Sequence, residues 1–116
     1  MNYIGFVTVC VTDQDRALAF YVSIGFEKRS DARMGDDDRW LTVTPPGAQT
    51  GITLHRDAGR AGQSSFVFHT NDIAALYDQW SERGISFNEP PSPQMWGIQA
   101  LLDDPDGNGI VVVQPQ

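Results

Sequence analysis

One segment near the carboxyl end of the chain has the residue types of a calcium site. Four residues follow the pattern D-x-D-x-N-G, which opens an EF-hand loop: Asp104, Asp106, Asn108 and Gly109. An EF-hand also needs a bidentate Glu at the twelfth loop position and a helix on each side. The twelfth residue here is Pro115, and the β-branched run Ile110–Val113 predicts a strand. The sequence therefore predicts a turn that leads into a strand.

Composition restricts the class of protein. The chain has 116 residues with an apolar content of 41%, which predicts one domain over residues 1–116. The net charge of −7 argues against nucleic acid as a partner, and no apolar run approaches the roughly 20 residues of a membrane helix. Asp13 and Asp15 interrupt the first apolar stretch, so we expect no signal peptide. The single cysteine, Cys10, excludes an internal disulfide, and we expect a cytoplasmic protein.

Local sequence patterns predict the helix and strands of the first half of the chain. A helix is expected from Asp13 to Ile24, with Thr12 as its N-cap and Gly25 just beyond its end. Its apolar stripe includes Tyr21, which we expect to pack against a sheet. Four strands are expected around this helix: Tyr3–Val11, Phe26–Ser30, Arg39–Thr44 and Gly51–His55.

The second half of the chain repeats the first. Three residues recur 59 positions later: Asp13 as Asp72, Gly25 as Gly84 and Pro46 as Pro105. The order of predicted elements is also the same, with a second helix over Asp72–Arg83. The chain is therefore predicted to be an α+β protein with two tandem βαβββ modules, at residues 1–58 and 59–116.

Three segments carry a resemblance to a known family: VTDQDRALAFYVSIGFE, NDIAALYDQWSERGI and WGIQALLDDPDGNGIVVVQ. They resemble the βαβββ modules of the vicinal oxygen chelate superfamily, also called the glyoxalase / bleomycin resistance / dioxygenase superfamily. The resemblance implies curved sheets that form a barrel-like cavity. It also implies a homodimer, since such proteins commonly build the cavity across two chains. It does not specify a reaction.

The resemblance further implies where metal ligands would lie. Metal-dependent relatives place a His on the first strand of each module and a carboxylate or His on the last. Counting from the helix starts and the repeat, these positions are Phe6, Ile52, Ser65 and Val111. Phe, Ile and Val have no donor atoms and Ser is a poor ligand, so we expect no metal and no cofactor. A register error of one residue would instead turn Thr53 and His55 inward.

Six residues are candidates for contact with a small molecule: Thr8, Cys10, Trp40, His69, Trp96 and Gln99. Strand alternation places Thr8 and Cys10 on the face of Phe6, and His69 on the face of Ser65. Structural roles are alternatives for several of them, because Cys10 could be a small buried side chain and Trp40 part of the core. The prolines around Trp96 predict a loop there, where an aromatic ring offers a stacking surface.

Two functions from different classes follow. The first is a metal-free protein that binds a small, partly aromatic molecule. The second is a metal-dependent lyase, isomerase or dioxygenase of the glyoxalase type, with ligands at other positions than those inferred. Acid–base chemistry by His69 without a metal is a third possibility. No catalytic residue is assigned from the sequence.

Overall fold

A computed structural model describes residues 2–116 of the chain. The first half contains β1 (Phe6–Val11), α1 (Gln14–Ser23), β2 (Glu27–Arg33), β3 (Arg39–Thr44) and β4 (Gly51–Arg56). The second half contains β5 (Ser65–His69), α2 (Ile73–Glu82), β6 (Glu89–Gln94), β7 (Gly97–Asp103) and β8 (Gly109–Pro115). Each half is a βαβββ unit, which confirms the predicted fold.

The two sheets have the same topology. Their strand orders are β1-β4-β3-β2 and β5-β8-β7-β6, so the first strand of each half lies parallel to the last one. The remaining pairs are antiparallel. The two sheets share no strand, so each half is a four-stranded layer of its own with one helix against one face.

Both helices begin at an aspartate. The carboxylate of Asp13 accepts a hydrogen bond from the amide of Arg16 at 3.0 Å, and Asp72 does the same for Ala75. The prediction that Thr12 caps α1 was wrong, because its hydroxyl instead donates to Asp106 at 2.6 Å. Gly25 has a φ of +105°, a left-handed conformation that ends the helix at little steric cost.

One predicted loop is a strand. The prolines in EPPSPQ indicated a loop around Trp96, but residues Glu89–Gln94 form β6 and only a tight turn follows. This strand lies at the edge of its sheet and has a register shift between Glu89 and Ser92. At such an edge, missing proline N–H groups cost no hydrogen bond between strands.

The core lies between the sheets and the helices. Tyr21 and Trp80, one on each helix, are almost fully buried, and the apolar stripe of the first helix predicted this for Tyr21. Aromatic rings join the two halves, since Phe26 of the first half lies 6.4 Å from Phe66 and 6.0 Å from Phe68, measured between ring centroids. Burying each large side chain stabilises the fold by about 1.5–3 kcal/mol. Among residues 2–116, neither helix is long and apolar enough to cross a membrane.

The turn between β7 and β8 ties the halves together. The carboxylate of Asp104 accepts hydrogen bonds from the amides of Asp106 and Asn108, each at 2.9 Å. It also accepts the hydroxyl of Tyr21 and the side-chain amide of Asn108. Since these four donors occupy the carboxylate, it acts as a structural acceptor in a turn that leads into β8.

Candidate binding site

The first sheet has one face that is not covered by a helix, here called the first open face. Parallel pairing places Thr8 beside Thr53, and Cys10 beside His55. Paired residues of neighbouring strands point to the same side of a sheet, so these four side chains share the open face. Thr8 and His55 are exposed, whereas Cys10 and Thr53 are mostly buried.

The register corrects one residue inferred from the resemblance. Ile52 was expected on the face of Phe6, but it pairs with Val7, is only 4% exposed and belongs to the hydrophobic core. Thr53 is the residue of β4 that shares the open face with Thr8. The repeat of 59 positions fails in the last strand, because Gly51 beside Phe6 corresponds to Gly109 beside Ser65, 58 positions later.

Two aromatic rings form a wall on the first open face. Phe6 and Trp40 meet edge to face with ring centroids 5.8 Å apart, and Trp40 is 41% exposed. Trp40 is therefore not a plain core residue. Gly51 lies beside Phe6, and a Cβ atom there would approach Phe6 Cε1 to 3.2 Å. The same Cβ atom would collide with Thr44 Cγ2 and approach the Val43 oxygen to 2.8 Å, so glycine here accommodates both β3 and the Phe6 ring.

A row of hydroxyl groups crosses the sheet next to these rings. Thr8 on β1, Thr53 on β4 and Thr42 on β3 are successive partners in the register, and Ser30 on β2 follows Thr42. The Thr42 hydroxyl is buried and has no hydrogen-bond partner among residues 2–116. Thr8 and Thr53 line the adjacent cavity, and since a hydroxyl can donate or accept, these two offer adaptable polar contacts there.

A cavity of about 370 Å³ lies on this face. Its lining residues all come from the first half of the chain: Thr8, Met34, Asp38, Arg39, Trp40, Thr53 and His55. The volume is within the range of small-molecule sites, roughly 300–1,000 Å³. Trp40 and Met34 supply an indole ring and a thioether, and the other five lining residues are polar or charged.

Arg39, the one arginine or lysine among residues 2–116 that lines this cavity, is already paired. Its guanidinium donates to Asp31 at 2.8 and 2.9 Å and to Asp15 at 2.8 Å. These hydrogen bonds raise the pKa of Arg39 further above its ordinary value. The hydrogen bond from Arg39 is also the main cause that lowers the pKa of Asp31. Arg39 therefore anchors the end of the β2–β3 hairpin to α1 and does not offer a free positive charge.

The second sheet has an equivalent uncovered face, the second open face. His69 pairs with Val113, Val113 with Gln99 and Gln99 with Ser92, so these residues form a row across four strands. Val67 lies two residues before His69 on the same side and is 58% exposed. Trp96, in the turn between β6 and β7, donates its indole N–H to Gln99 Oε1 at 2.9 Å.

The six candidate residues thus fall into two groups. Thr8 and Trp40 line the first cavity, and Cys10 lies beside His55 on the same face. The other three, His69, Trp96 and Gln99, lie on or beside the second open face, and none of them lines that cavity. The sequence missed Met34 and Asp38, because nothing local indicates that a hairpin end turns toward the open face. His55 entered only through the alternative register, shifted by one residue, and the pairing of Thr8 with Thr53 is that register.

The metal-binding arrangement of the family does not fit these residues. With the corrected register, the four positions on the open faces are Phe6, Thr53, Ser65 and Val111. None supplies an imidazole, carboxylate or thiolate. Within the part of the chain that the structure describes, no three His, Cys, Asp or Glu side chains are grouped to hold a metal ion.

Comparison with known proteins finds a family model and related proteins that align over nearly the whole chain. Residues 3–112 match the family model of the Glyoxalase/Bleomycin resistance protein/Dioxygenase superfamily. The crystal structure of TnmS3, an antibiotic binding protein from Streptomyces sp. CB03234, is 34% identical, covers 100% of this chain and 98% of that chain, and superposes with a TM-score of 0.91. A superfamily member from Sphaerobacter thermophilus DSM 20745 is 37% identical with 98% of both chains covered and a TM-score of 0.88. The uncharacterised protein YetH of Bacillus subtilis (strain 168) is 34% identical over 93% of this chain and 94% of its own.

Proposed function

Because this chain belongs to the Glyoxalase/Bleomycin resistance protein/Dioxygenase superfamily, we propose that it binds a small, partly aromatic molecule without a metal. The family alone does not decide between binding and catalysis, because one fold supports many functions. The decision rests on the residues of the two open faces.

The observation that carries the proposal is the composition of the first open face. Phe6 and Trp40 form an exposed aromatic wall beside a cavity of about 370 Å³, and Thr8 and Thr53 supply hydroxyl groups. At the positions where metal-dependent relatives carry ligands, this face has Phe6 and Thr53. Such a surface favours stacking and hydrogen bonding with a planar molecule over coordination of its oxygens to a metal.

The structural neighbours support a binding role. TnmS3 is described as an antibiotic binding protein and shares 34% identity with this chain over nearly its full length. Identity at this level together with a TM-score of 0.91 indicates closely similar backbones. We therefore propose that the ligand of this chain is also a small organic compound.

The two open faces are proposed to act together in a homodimer. The first cavity is lined by the first half of the chain alone, whereas His69, Trp96 and Gln99 lie on the second half. A partner copy that placed its second open face over this cavity would bring all six candidate residues around one ligand. The exposed Val67 and Trp96 would then be covered, which removes apolar surface from water. We also propose a cytoplasmic location, since the one cysteine fits a reducing compartment.

A ligand screen tests the proposed function. Partly aromatic compounds of two or three rings are screened by thermal shift and confirmed by ligand-observed NMR, with wild type compared to Trp40→Ala. Trp40→Ala is expected to weaken confirmed ligands by about 1–3 kcal/mol, as for loss of a buried aromatic contact. Tyr3→Ala removes an exposed aromatic side chain outside the cavity and is the matched control. The proposal fails if no such compound binds, or if all hits bind Trp40→Ala as tightly as wild type.

A further inference from the structure

The side-chain amide of Gln99 has a fixed orientation. The indole nitrogen of Trp96 can only donate a hydrogen bond, and its partner, 2.9 Å away, is the amide group of Gln99. An amide accepts only through its oxygen, so Oε1 must point to Trp96 and Nε2 must point away from it. The indole N–H thus determines which end of the Gln99 amide faces Trp96.

The donor edge of Gln99 therefore remains available. No residue among positions 2–116 accepts a hydrogen bond from Gln99 Nε2, and the hydroxyl of Ser92, its partner on β6, accepts one from Gln94 Nε2 instead. Gln99 is half-buried and lies in the row with Val113 and His69. Two N–H groups thus remain free on a side chain of the second open face.

Other polar side chains of the open faces are less restricted. The hydroxyls of Thr8 and Thr53 rotate and can donate or accept. A neutral His69 imidazole has one donor and one acceptor nitrogen, and no described residue fixes which is which. Gln99 is held by Trp96 so that the two hydrogens of Nε2 point away from the indole and Oε1 lies on the indole side.

We propose that Gln99 is a specificity-determining residue that selects ligands with a hydrogen-bond acceptor, such as a ring ketone, over ligands that present a hydroxyl donor at the same place. This inference rests on the proposed function and adds the polarity of the ligand. A bound hydroxyl can still accept from Nε2, but it leaves its own hydrogen without a partner. A ketone has no such hydrogen, so the hydrogen bond from Nε2 replaces one that its oxygen made with water and no donor is left unpaired.

The test uses three bicyclic probes of nearly equal shape, 1-tetralone, 1-tetralol and tetralin. Dissociation constants are measured by ligand-observed NMR, so that changes at tryptophan do not disturb the signal. Wild type is expected to bind 1-tetralone about three- to tenfold more tightly than tetralin, and more tightly than 1-tetralol, as for one neutral hydrogen bond.

Two variants test whether the orientation of the Gln99 amide determines the ligand preference, or whether Gln99 only supports the turn between β6 and β7. Gln99→Glu still accepts the Trp96 indole N–H but presents an acceptor oxygen instead of N–H groups, so it is expected to prefer 1-tetralol over 1-tetralone. Trp96→Phe keeps an aromatic ring but frees the amide to turn over, so the difference between ketone and alcohol is expected to narrow. Gln63→Glu adds the same charge in the linker, where Gln63 Nε2 bonds to a backbone oxygen of Gly59, and it should keep the wild-type order.

The outcomes distinguish this inference from the proposed function. If all three probes bind but Gln99→Glu retains the ketone preference, or wild type has none, Gln99 does not select the ligand although the site binds one. If none of the probes binds wild type, both proposals are wrong for partly aromatic bicyclic ligands. Circular dichroism melting curves of each variant verify that it is folded, so that a changed order of probe affinities does not reflect unfolding.

Discussion

Tyr21 on the first helix donates its phenolic hydrogen to Asp104 Oδ2 across 83 positions of sequence, at a distance of 2.9 Å. Both residues are buried, and Asp104 is also bonded to Asn108, whose side-chain amide donates to the backbone oxygen of Cys10 at 2.9 Å. The turn of the second half is thereby joined to both α1 and β1 of the first half. The equivalent turn of the first module, around Pro46, has no aspartate at the position that matches Asp104.

Loss of the Tyr21 hydroxyl is expected to destabilise the fold. Tyr21→Phe keeps the ring, which contacts Phe26 and Phe66, but leaves the buried Asp104 carboxylate without one donor. We expect a decrease of about 1–3 kcal/mol in the free energy of unfolding, measured by urea titration. Tyr77→Phe is the control, since Tyr77 packs on Phe87 and its hydroxyl makes no hydrogen bond to another described residue. Equal effects of the two substitutions would contradict a special role for the Asp104 bond.

The same pair predicts a dependence of stability on alkaline pH. Burial first, and then the charge of Asp104, raises the pKa of Tyr21 well above the ordinary value of 10.0. The unfolded chain then loses this proton near pH 10 while the folded protein keeps it, so ionisation favours the unfolded state. The stability that Tyr21 contributes is therefore complete below pH 10 and falls as the pH rises above it. Urea titrations between pH 8 and about 11 should show that the free energies of unfolding of wild type and Tyr21→Phe become closer as the pH rises. A difference that stays constant over this range would refute this prediction.

Trp96 is expected to matter for binding and not for folding. It is 53% exposed and lies in a turn, so Trp96→Ala removes little buried surface. We expect ligand binding to weaken by about 1–3 kcal/mol, while the midpoint of urea unfolding changes little. Met95→Ala, at the even more exposed neighbouring residue, is the matched control for the turn. A large loss of stability with unchanged binding would assign Trp96 to structure.

A positive charge at Val67, on the second open face, is expected to dissociate the proposed homodimer. Val67 is 58% exposed in the middle of β5, on the face that we propose to cover the partner's cavity. Light scattering at micromolar concentration should give twice the monomer mass for wild type and the monomer mass for Val67→Lys. Val22→Lys places the same charge on an equally apolar residue of α1, 49% exposed, and should remain dimeric. A monomeric wild type would refute the shared site.

Purified protein is expected to hold no stoichiometric transition metal at the open faces. The residues at the family's ligand positions, Phe6, Thr53, Ser65 and Val111, offer no strong donor. Elemental analysis of untagged protein should find Ni, Zn, Fe and Mn well below one ion per chain, and a chelator should leave ligand binding unchanged. Stoichiometric metal whose removal abolishes binding would instead support the metal-dependent alternative.

The sequence alone determined the architecture of this protein. Local signals were sufficient for the helices, because Asp13 and Asp72 each begin a run with helical periodicity and Gly25 and Gly84 follow its end. The recurrence of these signals 59 positions apart then predicted two equal modules. Helices and caps depend on residues within a few positions of each other, and such short-range preferences can be read directly from a sequence.

The tertiary structure decided which side chains share a surface. Ile52 and Thr53 are neighbours in sequence but lie on opposite faces, and an error of one residue exchanges the core for the open face because strand side chains alternate. The proline-rich β6 is a strand only because it lies at the edge of its sheet, a position that local sequence does not reveal. The bond between Tyr21 and Asp104 likewise joins residues that only folding brings together. Long-range pairing sets the register, and the register sets the composition of the site.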